Sequence, residues 1–96
     1  MSIEMTTCVI RLGGLQTANV DDDIVILNMT TNSYVALDDI GRRIWELIET
    51  PRRVEELCTQ LTGEFNGVPE RIQTDVLSFL NELESEKLVR VVDESI

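Results

Sequence analysis

Apolar and β-branched residues recur at short spacing in the first part of the chain and predict extended strands. Residues 5–11, MTTCVIR, are rich in β-branched side chains and predict a first strand, which Gly13-Gly14 ends. Residues 15–23 are mostly polar and are expected to form a connection. Its acidic run, Asp21-Asp22-Asp23, lacks the spaced ligands of a calcium loop and is expected to be a solvated turn. Residues 24–29 are predicted to form a second strand, and its run Ile24–Leu27 is apolar at consecutive positions, which indicates that both faces are covered.

A third strand, Ser33–Leu37, is predicted after a polar turn in which Asn32 suits a left-handed hairpin position. Side chains of a strand alternate between its faces, so one face receives Tyr34 and Ala36 and the other receives Val35 and Leu37. This strand is expected to lie at or near a sheet edge, where its backbone would be open to an added peptide strand. Periodicity alone favours an interior strand or a solvated edge over such a binding role.

Helical spacing begins directly after this strand. Asp38 or Asp39 is expected to cap a first helix by accepting hydrogen bonds from its first amides. The buried face of this helix is predicted to consist of Ile40, Ile44, Leu47 and Ile48, with Trp45 at its margin. Gly41 lowers helix stability in the first turns, and we expect the close approach of a strand backbone to be the reason.

Two further helices are predicted in the second half of the chain. Thr50-Pro51 is expected to begin a short helix, and Gly63 is expected to end it. The longest helix is predicted from Pro69 to about Lys87, followed by a short strand or a tail at residues 88–92 and a fraying end at residues 93–96. Three strands followed by three helices predict a single α+β domain over residues 1–96.

Composition and charge narrow the possible partners. The 96 residues include 18 acidic and 8 basic side chains, for a net charge of −10, which argues against nucleic acid and allows a basic peptide partner. The apolar runs are far too short to cross a membrane, and the N-terminus does not have the pattern of a signal peptide. A cytoplasmic location is therefore expected, with Cys8 and Cys58 as reduced core residues rather than a disulfide or reactive thiols.

The residues that usually carry catalysis are absent or badly spaced. The chain has no His, which removes the commonest general base and metal ligand. Two Cys fifty residues apart do not form a zinc site, and Gly13-Gly14 is not a phosphate loop. We therefore expect a protein that binds without catalysing a reaction, and without a metal or other cofactor.

Two surfaces of the predicted helices could bind a partner, and each also has a purely structural interpretation. The apolar stripe of the longest helix is wider than one contact face requires, so one side could form a groove wall, although a core role for all its apolar residues is favoured. The basic pairs Arg42-Arg43 and Arg52-Arg53 are expected to be solvated. Three helices and a sheet also suit a winged-helix DNA-binding regulator, but the longest helix is acidic and phosphate would repel it.

The spacing of these residues resembles a known family. The pattern runs from Tyr34 through Leu37, Gly41 and Ile44-Trp45-Glu46-Leu47 to Val54, Leu57 and Leu61, and then to Val76, Phe79, Leu80, Leu83 and Leu88-Val89. It resembles the PqqD-like proteins, the RiPP recognition elements that bind leader peptides of ribosomally made and later modified peptides. The segment LDDIGRRIWEL is most similar to the stand-alone leader-binding proteins of lasso peptide clusters.

The resemblance implies a three-stranded antiparallel sheet followed by three helices, in a winged helix-turn-helix-like fold. It also implies that the leader adds as a further strand, between the third strand and the third helix. The implied peptide-binding residues are Asn32, Ser33, Tyr34, Val35, Ala36 and Leu37 on the strand, and Ile72, Asp75, Val76, Phe79 and Glu82 on the helix. Asp75 or Glu82 would meet a Lys or Arg of the leader.

The resemblance further implies a separate cysteine-protease-like leader peptidase as a partner, with a macrocyclase acting afterwards. The Arg pairs are a candidate contact for that protease. The quinone-cofactor branch of the same family, in which the domain serves a radical enzyme, is an alternative that this sequence separates poorly from the lasso branch.

Overall fold

The computed structural model describes residues 3–13, 15–21, 23–30 and 32–92, with the side chain of Ser33 left out. The expectations for Gly14, for Asp22 within the acidic run and for the chain end at residues 93–96 lie outside these ranges. The strands are β1 (Cys8–Arg11), β2 (Gln16–Val20), β3 (Asp23–Asn28), β4 (Ser33–Leu37), β5 (Arg52–Arg53) and β6 (Val89–Val92). The helices are α1 (Asp39–Leu47), α2 (Val54–Phe65) and α3 (Pro69–Ser85). The expected class, α+β with antiparallel strands and three helices, is confirmed.

One three-stranded antiparallel sheet has the order β2-β3-β4. The strands of this sheet differ from the expected ones. Residues 16–20, which were predicted to belong to a connection, form β2, and the first predicted strand, β1, belongs to the other sheet. β2 is exposed along most of its length, and it pairs with β3 at every position from Gln16 to Val20. Backbone pairing with the apolar strand β3 therefore holds β2 in an extended conformation, which the side chains of β2 alone do not predict.

A second sheet has the order β5-β1-β6 and joins distant parts of the chain. Arg52 and Arg53 pair with Val9 and Cys8, which keeps them extended. The prediction that Thr50-Pro51 begins a helix is therefore wrong, and α2 starts at Val54.

The limits of α2 are set by residues that the local sequence pattern did not indicate. At its start, the amides of Val54 and Glu55 donate to the carbonyls of Thr7 and Met5, each at 3.0 Å. The prediction that Gly63 ends the helix is also wrong. The helix continues to Phe65, and Asn66 takes the left-handed conformation that stops it, with φ of 51°.

The start of α1 follows the prediction. Asp38 is the cap, and its Oδ1 accepts a hydrogen bond of 2.7 Å from the amide of Gly41.

Trp45 of α1 is buried rather than at the margin of the buried face, with 6 % of its surface exposed. The guanidinium of Arg11 lies 5.3 Å from the centre of the Trp45 ring and donates to the Trp45 carbonyl at 3.2 Å. These contacts attach α1 to β1.

The core lies where the two sheets and three helices meet. Its most deeply buried side chains include Val9, Ile26, Ile44, Val54, Leu61, Val76, Leu80 and Leu83. Cys8 and Cys58 are buried and not joined in a disulfide, which confirms their expected core role. Burial raises the pKa of the Cys58 thiol, because desolvation disfavours the thiolate.

Within the described ranges, no helix is both long enough and apolar enough to cross a membrane.

Candidate functional site

β4 is the last strand of its sheet, and in the described part of the chain it pairs with β3 alone. Every second residue of such a strand turns its N–H and C=O groups away from the neighbouring strand. Val35 and Leu37 are buried on the inner face, whereas Tyr34 is 71 % exposed on the outer face, where Ala36 is also exposed. The expected edge position and the expected division of side chains between the faces are confirmed.

Two hollows lie side by side next to this edge. The strand hollow, of about 390 Å³, runs between β4 and α3 and is lined by Asp23, Val35, Ala36, Leu37, Asp38, Phe79 and Glu82. The helix hollow, of about 310 Å³, lies between α1 and α3 and is lined by Asp38, Ile40, Gly41, Ile44, Asp75, Ser78, Phe79 and Glu82. Asp38, Phe79 and Glu82 line both, so the two hollows are adjoining parts of one cleft.

α3 contributes different faces to the core and to the cleft. Asp75, Ser78, Phe79 and Glu82 stand at positions i, i+3, i+4 and i+7, which places them on one side of the helix. Ile72, Val76, Leu80 and Leu83 are buried on another side. The stripe in the sequence is wide because Leu77 and Phe79 pack on the margin of the core, and Phe79 also lines the cleft.

The structure brings together six of the eleven residues expected to bind peptide. They are Val35, Ala36, Leu37, Asp75, Phe79 and Glu82, and all of them line the cleft. Ile72 and Val76 are not among the lining residues, because their side chains lie in the core, 5 % and 0 % exposed. Tyr34 points to the outer face. Asn32 lies in the turn before β4 with φ of 57°, and the Ser33 backbone pairs with Asn28.

Gly41 has a different neighbour from the expected one. A Cβ atom added at Gly41 would stand 3.3 Å from Cζ of Phe79 and 3.1 Å from Oδ1 of Asp38. The close approach is therefore made by an aromatic ring of α3 and not by a strand backbone. Because Gly41 also lines the helix hollow, it belongs to the cleft as well as to the packing of α1.

The cleft is acidic. The described residues that line it include the acids Asp23, Asp38, Asp75 and Glu82 and no Lys or Arg. One oxygen of Asp38 caps α1. None of the ion pairs formed within the described residues involves Asp23, Asp75 or Glu82. Their charges are thus left for solvent or for a cationic group brought by a ligand.

The basic pairs lie outside the cleft, and Arg42, Arg43 and Arg53 contact acids of this chain. Arg43 donates to both carboxylate oxygens of Glu64 at 2.9 and 3.0 Å, and to Glu46 at 3.1 Å. These hydrogen bonds raise the pKa of Arg43 and lower the pKa of Glu64. Arg42 pairs with Asp39 at 3.5 Å, and Arg53 pairs with Glu55 at 3.7 Å.

Several lining residues were missed by sequence reasoning: Asp23, Asp38, Ile40, Gly41, Ile44 and Ser78. Ser78 could have been found, because it stands three residues after Asp75 on the same helix. The α1 residues carried no such signal, since their exposure to the cleft depends on how closely α1 approaches α3. Among the described residues, no group of three or more Cys, Asp or Glu side chains is arranged to hold a metal ion.

An open sheet edge over an aromatic helix face, within a winged-helix-like α+β fold, defines a class of small domains suited to receiving an extended chain. Residues 23–89 match the family model described as coenzyme PQQ synthesis protein D (PqqD). The match spans well over half of the sequence, and the chain belongs to the PqqD family.

Solved structures support this assignment. TbiB1, solved in complex with the TbiA(beta) leader peptide, is 28 % identical with a TM-score of 0.72, over 88 % of this chain and 99 % of TbiB1. The PqqD truncation of Methylobacterium extorquens PqqCD, described as a functional and stand-alone RiPP recognition element, has a TM-score of 0.76 over 93 % of this chain and 95 % of that chain. At 16 % identity it shares the fold. No curated protein sequence matches this chain.

Proposed function

We propose that this protein is a leader-peptide-binding adaptor without catalytic activity. The peptide adds as a strand along the outer edge of β4, and alternate side chains enter the cleft formed with α3. The observation that carries this proposal is the open edge of β4 beside the hollow that Phe79 lines. The TbiB1 complex supports it, since a domain of similar fold is described there with a leader peptide.

The energetics suit a short peptide held mainly through its backbone. Each added hydrogen bond contributes a net ~0.5–1.5 kcal/mol, and the β4 edge offers a few of them. Side chains that reach Phe79 add apolar burial at about 25 cal/mol per Å². Selectivity would come from the residues that line the cleft, because backbone pairing is nearly independent of sequence.

We assign the protein to lasso peptide biosynthesis in the cytoplasm, on the resemblance of its LDDIGRRIWEL segment to the leader-binding proteins of those clusters. The adaptor would present the bound precursor to a separate cysteine-protease-like leader peptidase, and a macrocyclase would then close the ring. The family description supports a second candidate, a peptide chaperone for a radical enzyme in quinone cofactor synthesis. Neighbouring genes separate the two candidates: a cysteine-protease-like protein and an asparagine-synthetase-like cyclase in the first case, a radical enzyme in the second.

The test needs a peptide that this protein itself selects. A displayed library of random linear peptides is selected on the immobilised protein, and the enriched sequence is synthesised with a fluorescent label. We expect Phe79→Asp to weaken its binding by about tenfold or more in fluorescence anisotropy, because a carboxylate replaces the apolar wall of both hollows.

Phe65→Asp is the matched control. It makes the same replacement at a partly exposed Phe on α2 that does not line the cleft, and its affinity should stay within about twofold of the wild type. Circular dichroism checks the fold, and Phe79→Ala provides a milder variant with the same expected direction. Failure of the library to enrich any sequence, or equal affinity in folded Phe79 and Phe65 variants, would refute the proposed cleft.

A further inference from the structure

Asn28 is a buried polar residue close to the cleft, although it lines neither of the two hollows. It is the last residue of β3 and is 7 % exposed. Among the described residues, it is the only polar side chain that is buried. Burying an amide group costs free energy unless its donor and its acceptor are both hydrogen-bonded. An apolar residue at this position would avoid that cost, so the amide calls for a specific reason.

Both ends of the Asn28 amide are hydrogen-bonded, and they reach different parts of the molecule. Its Oδ1 accepts from the amide of Thr30 at 3.0 Å, a local contact that orders the turn toward β4. Its Nδ2 donates to the carbonyl of Glu86 at 2.9 Å. Glu86 caps the C-terminal end of α3, where the last carbonyls have no partner within the helix. One side chain therefore joins the β3–β4 hairpin to α3.

The elements that Asn28 joins form the two walls of the strand hollow. β4 supplies Val35, Ala36 and Leu37, and α3 supplies Phe79 and Glu82. α3 packs mainly against α2 and β6, neither of which belongs to the sheet of β4. Apolar packing is non-directional, so it resists separation of the walls better than it resists a small shift of one along the other. A hydrogen bond has a definite length and angle and resists both.

The helical wall of the cleft is held at both ends. At one end, the Phe79 ring packs closely on Gly41 of α1, the helix that follows β4. At the other end, Asn28 holds Glu86, and the Asn28 backbone pairs with Ser33 at the start of β4. The helix rises about 10 Å between Phe79 and Glu86, and β4 is about 13 Å long from its first residue to its last. The two attachments are thus spaced by nearly the length of the open edge.

We propose that Asn28 is a positioning residue for peptide binding. Its hydrogen bond to Glu86 keeps α3 at the distance from β4 that an added strand needs, and Asn28 itself does not touch the peptide. Without this bond the cleft would adopt several widths, and only a fraction of the molecules would accept the peptide at any moment. The apparent affinity falls in proportion to that fraction. This inference rests on the proposed function and adds how the empty site is kept ready for its ligand.

Two substitutions of Asn28 test the role. Asn28→Ala removes both hydrogen bonds. Asn28→Ser leaves a hydroxyl that can still accept from the Thr30 amide but is too short to reach Glu86, and it carries the test if Asn28→Ala does not fold. Asn81→Ala and Asn81→Ser are the matched controls. The Asn81 side chain also links α3 to another segment, because it accepts from the Ile3 amide at 2.9 Å, and it does not line the cleft.

We expect both Asn28 variants to bind the peptide selected from the displayed library about three- to tenfold more weakly than the wild type. A hydrogen bond of ordinary net strength biases an equilibrium between two cleft widths by about that factor. The loss should lie mainly in the association rate, since dissociation starts from the same closed complex. Stopped-flow fluorescence of the labelled peptide measures both rates. The Asn81 variants should stay within about twofold of the wild-type affinity.

Stability and the state of the free cleft are measured beside binding. Urea denaturation confirms that every variant is folded under the binding conditions, so that a smaller folded fraction does not imitate weaker binding. Amide resonances of residues 35–37 and of Phe79, recorded by NMR without peptide, should shift or broaden in Asn28→Ser. They should stay in place in Asn81→Ser, even where the two variants lose similar stability.

The outcomes separate this inference from the proposed function. A peptide that needs Phe79 but binds folded Asn28→Ser as tightly as the wild type would overturn the positioning role and leave β4 pairing intact. Equal losses in the Asn28 and Asn81 variants would also overturn it, because they would indicate general destabilisation. A loss confined to the dissociation rate would indicate direct contact with the peptide and overturn it as well. If no peptide is enriched at all, the proposed function and the positioning role fall together.

Discussion

At the scale of single residues, Gly41 determines how closely α1 can approach α3. Glycine costs a helix about 1 kcal/mol relative to alanine, so its presence in the first turn of α1 calls for a structural reason. The reason is a tight contact, because an added Cβ atom would stand 3.1 Å from Oδ1 of Asp38 and 3.3 Å from the Phe79 ring. The same residue thereby brings the aromatic side chain into the cleft, so one small position affects both packing and binding.

Alanine substitutions at two glycines test this explanation. Gly63 of α2 has nothing within 4 Å of its would-be Cβ, so Gly63→Ala should raise the free energy of unfolding by about 0.5–1 kcal/mol. Gly41→Ala should gain less than Gly63→Ala or lose stability, because the Phe79 ring must shift to admit the methyl group. Urea denaturation followed by circular dichroism measures both. Equal stabilisation by the two substitutions would contradict the contact between Gly41 and Phe79.

At the scale of elements, the helices are joined by polar contacts that the hydrophobic pattern does not show. Arg43 of α1 holds Glu64 at the C-terminal end of α2 with two hydrogen bonds. Asn28 of β3 donates to the carbonyl of Glu86 just after α3 at 2.9 Å and accepts from the Thr30 amide at 3.0 Å. Such contacts fix the relative positions of elements whose apolar faces alone would allow sliding.

The contact between Arg43 and Glu64 should make stability depend on pH. Because its hydrogen bonds hold the pKa of Glu64 below its ordinary value of 4.5, the folded state binds fewer protons than the unfolded state in that range. This contribution is present above the ordinary pKa and is lost as the pH falls through the lower folded value. Both Glu64→Gln and Arg43→Gln should therefore lose less stability than the wild type between about pH 6 and about pH 3.

Urea denaturation across that pH range measures the effect, which solvent screening keeps small for so exposed a pair. The prediction fails if both variants keep the full pH dependence of the wild type. A change in only one variant would point instead to its other contacts, Glu46 for Arg43 and Gln60 for Glu64.

At the scale of the whole molecule, one core supports both sheets and the cleft. Leu80 of α3 is fully buried next to the residue that lines the cleft. Leu80→Ala should lower the free energy of unfolding by about 2–5 kcal/mol through lost burial and a residual cavity. That is a large share of the stability of a domain of this size, which is on the order of 5–15 kcal/mol.

The matched control for this substitution is Met29→Ala, because Met29 is 73 % exposed in the turn after β3. It should change the free energy of unfolding by no more than about 0.5 kcal/mol. Thermal or urea denaturation compares the two variants. A loss below 1 kcal/mol for Leu80→Ala, or equal losses in both, would argue against the central position of α3 in the core.

The division of α3 illustrates how much of the site the sequence could reveal. The family resemblance of the sequence pointed to the polar and aromatic residues Asp75, Phe79 and Glu82, and all three line the cleft. It did not separate them from Ile72 and Val76, which lie in the core. Residues only one position apart along a helix differ by about 100° around its axis, so the boundary between core and cleft depends on where neighbouring elements end.

The sequence by itself determined the elements whose side chains follow a period: β1, β3, β4 and the body of each helix. It also determined the Asp38 cap and the alternation of side chains along β4, because these depend on residues near each other in the chain. The tertiary structure alone decided the rest. β2 and β5 exist through pairing with β3 and β1, and the helix hollow exists because Gly41 lets the Phe79 ring approach α1. Backbone hydrogen bonds and close approaches between distant segments leave no local pattern, so these features appear only when the chain has folded.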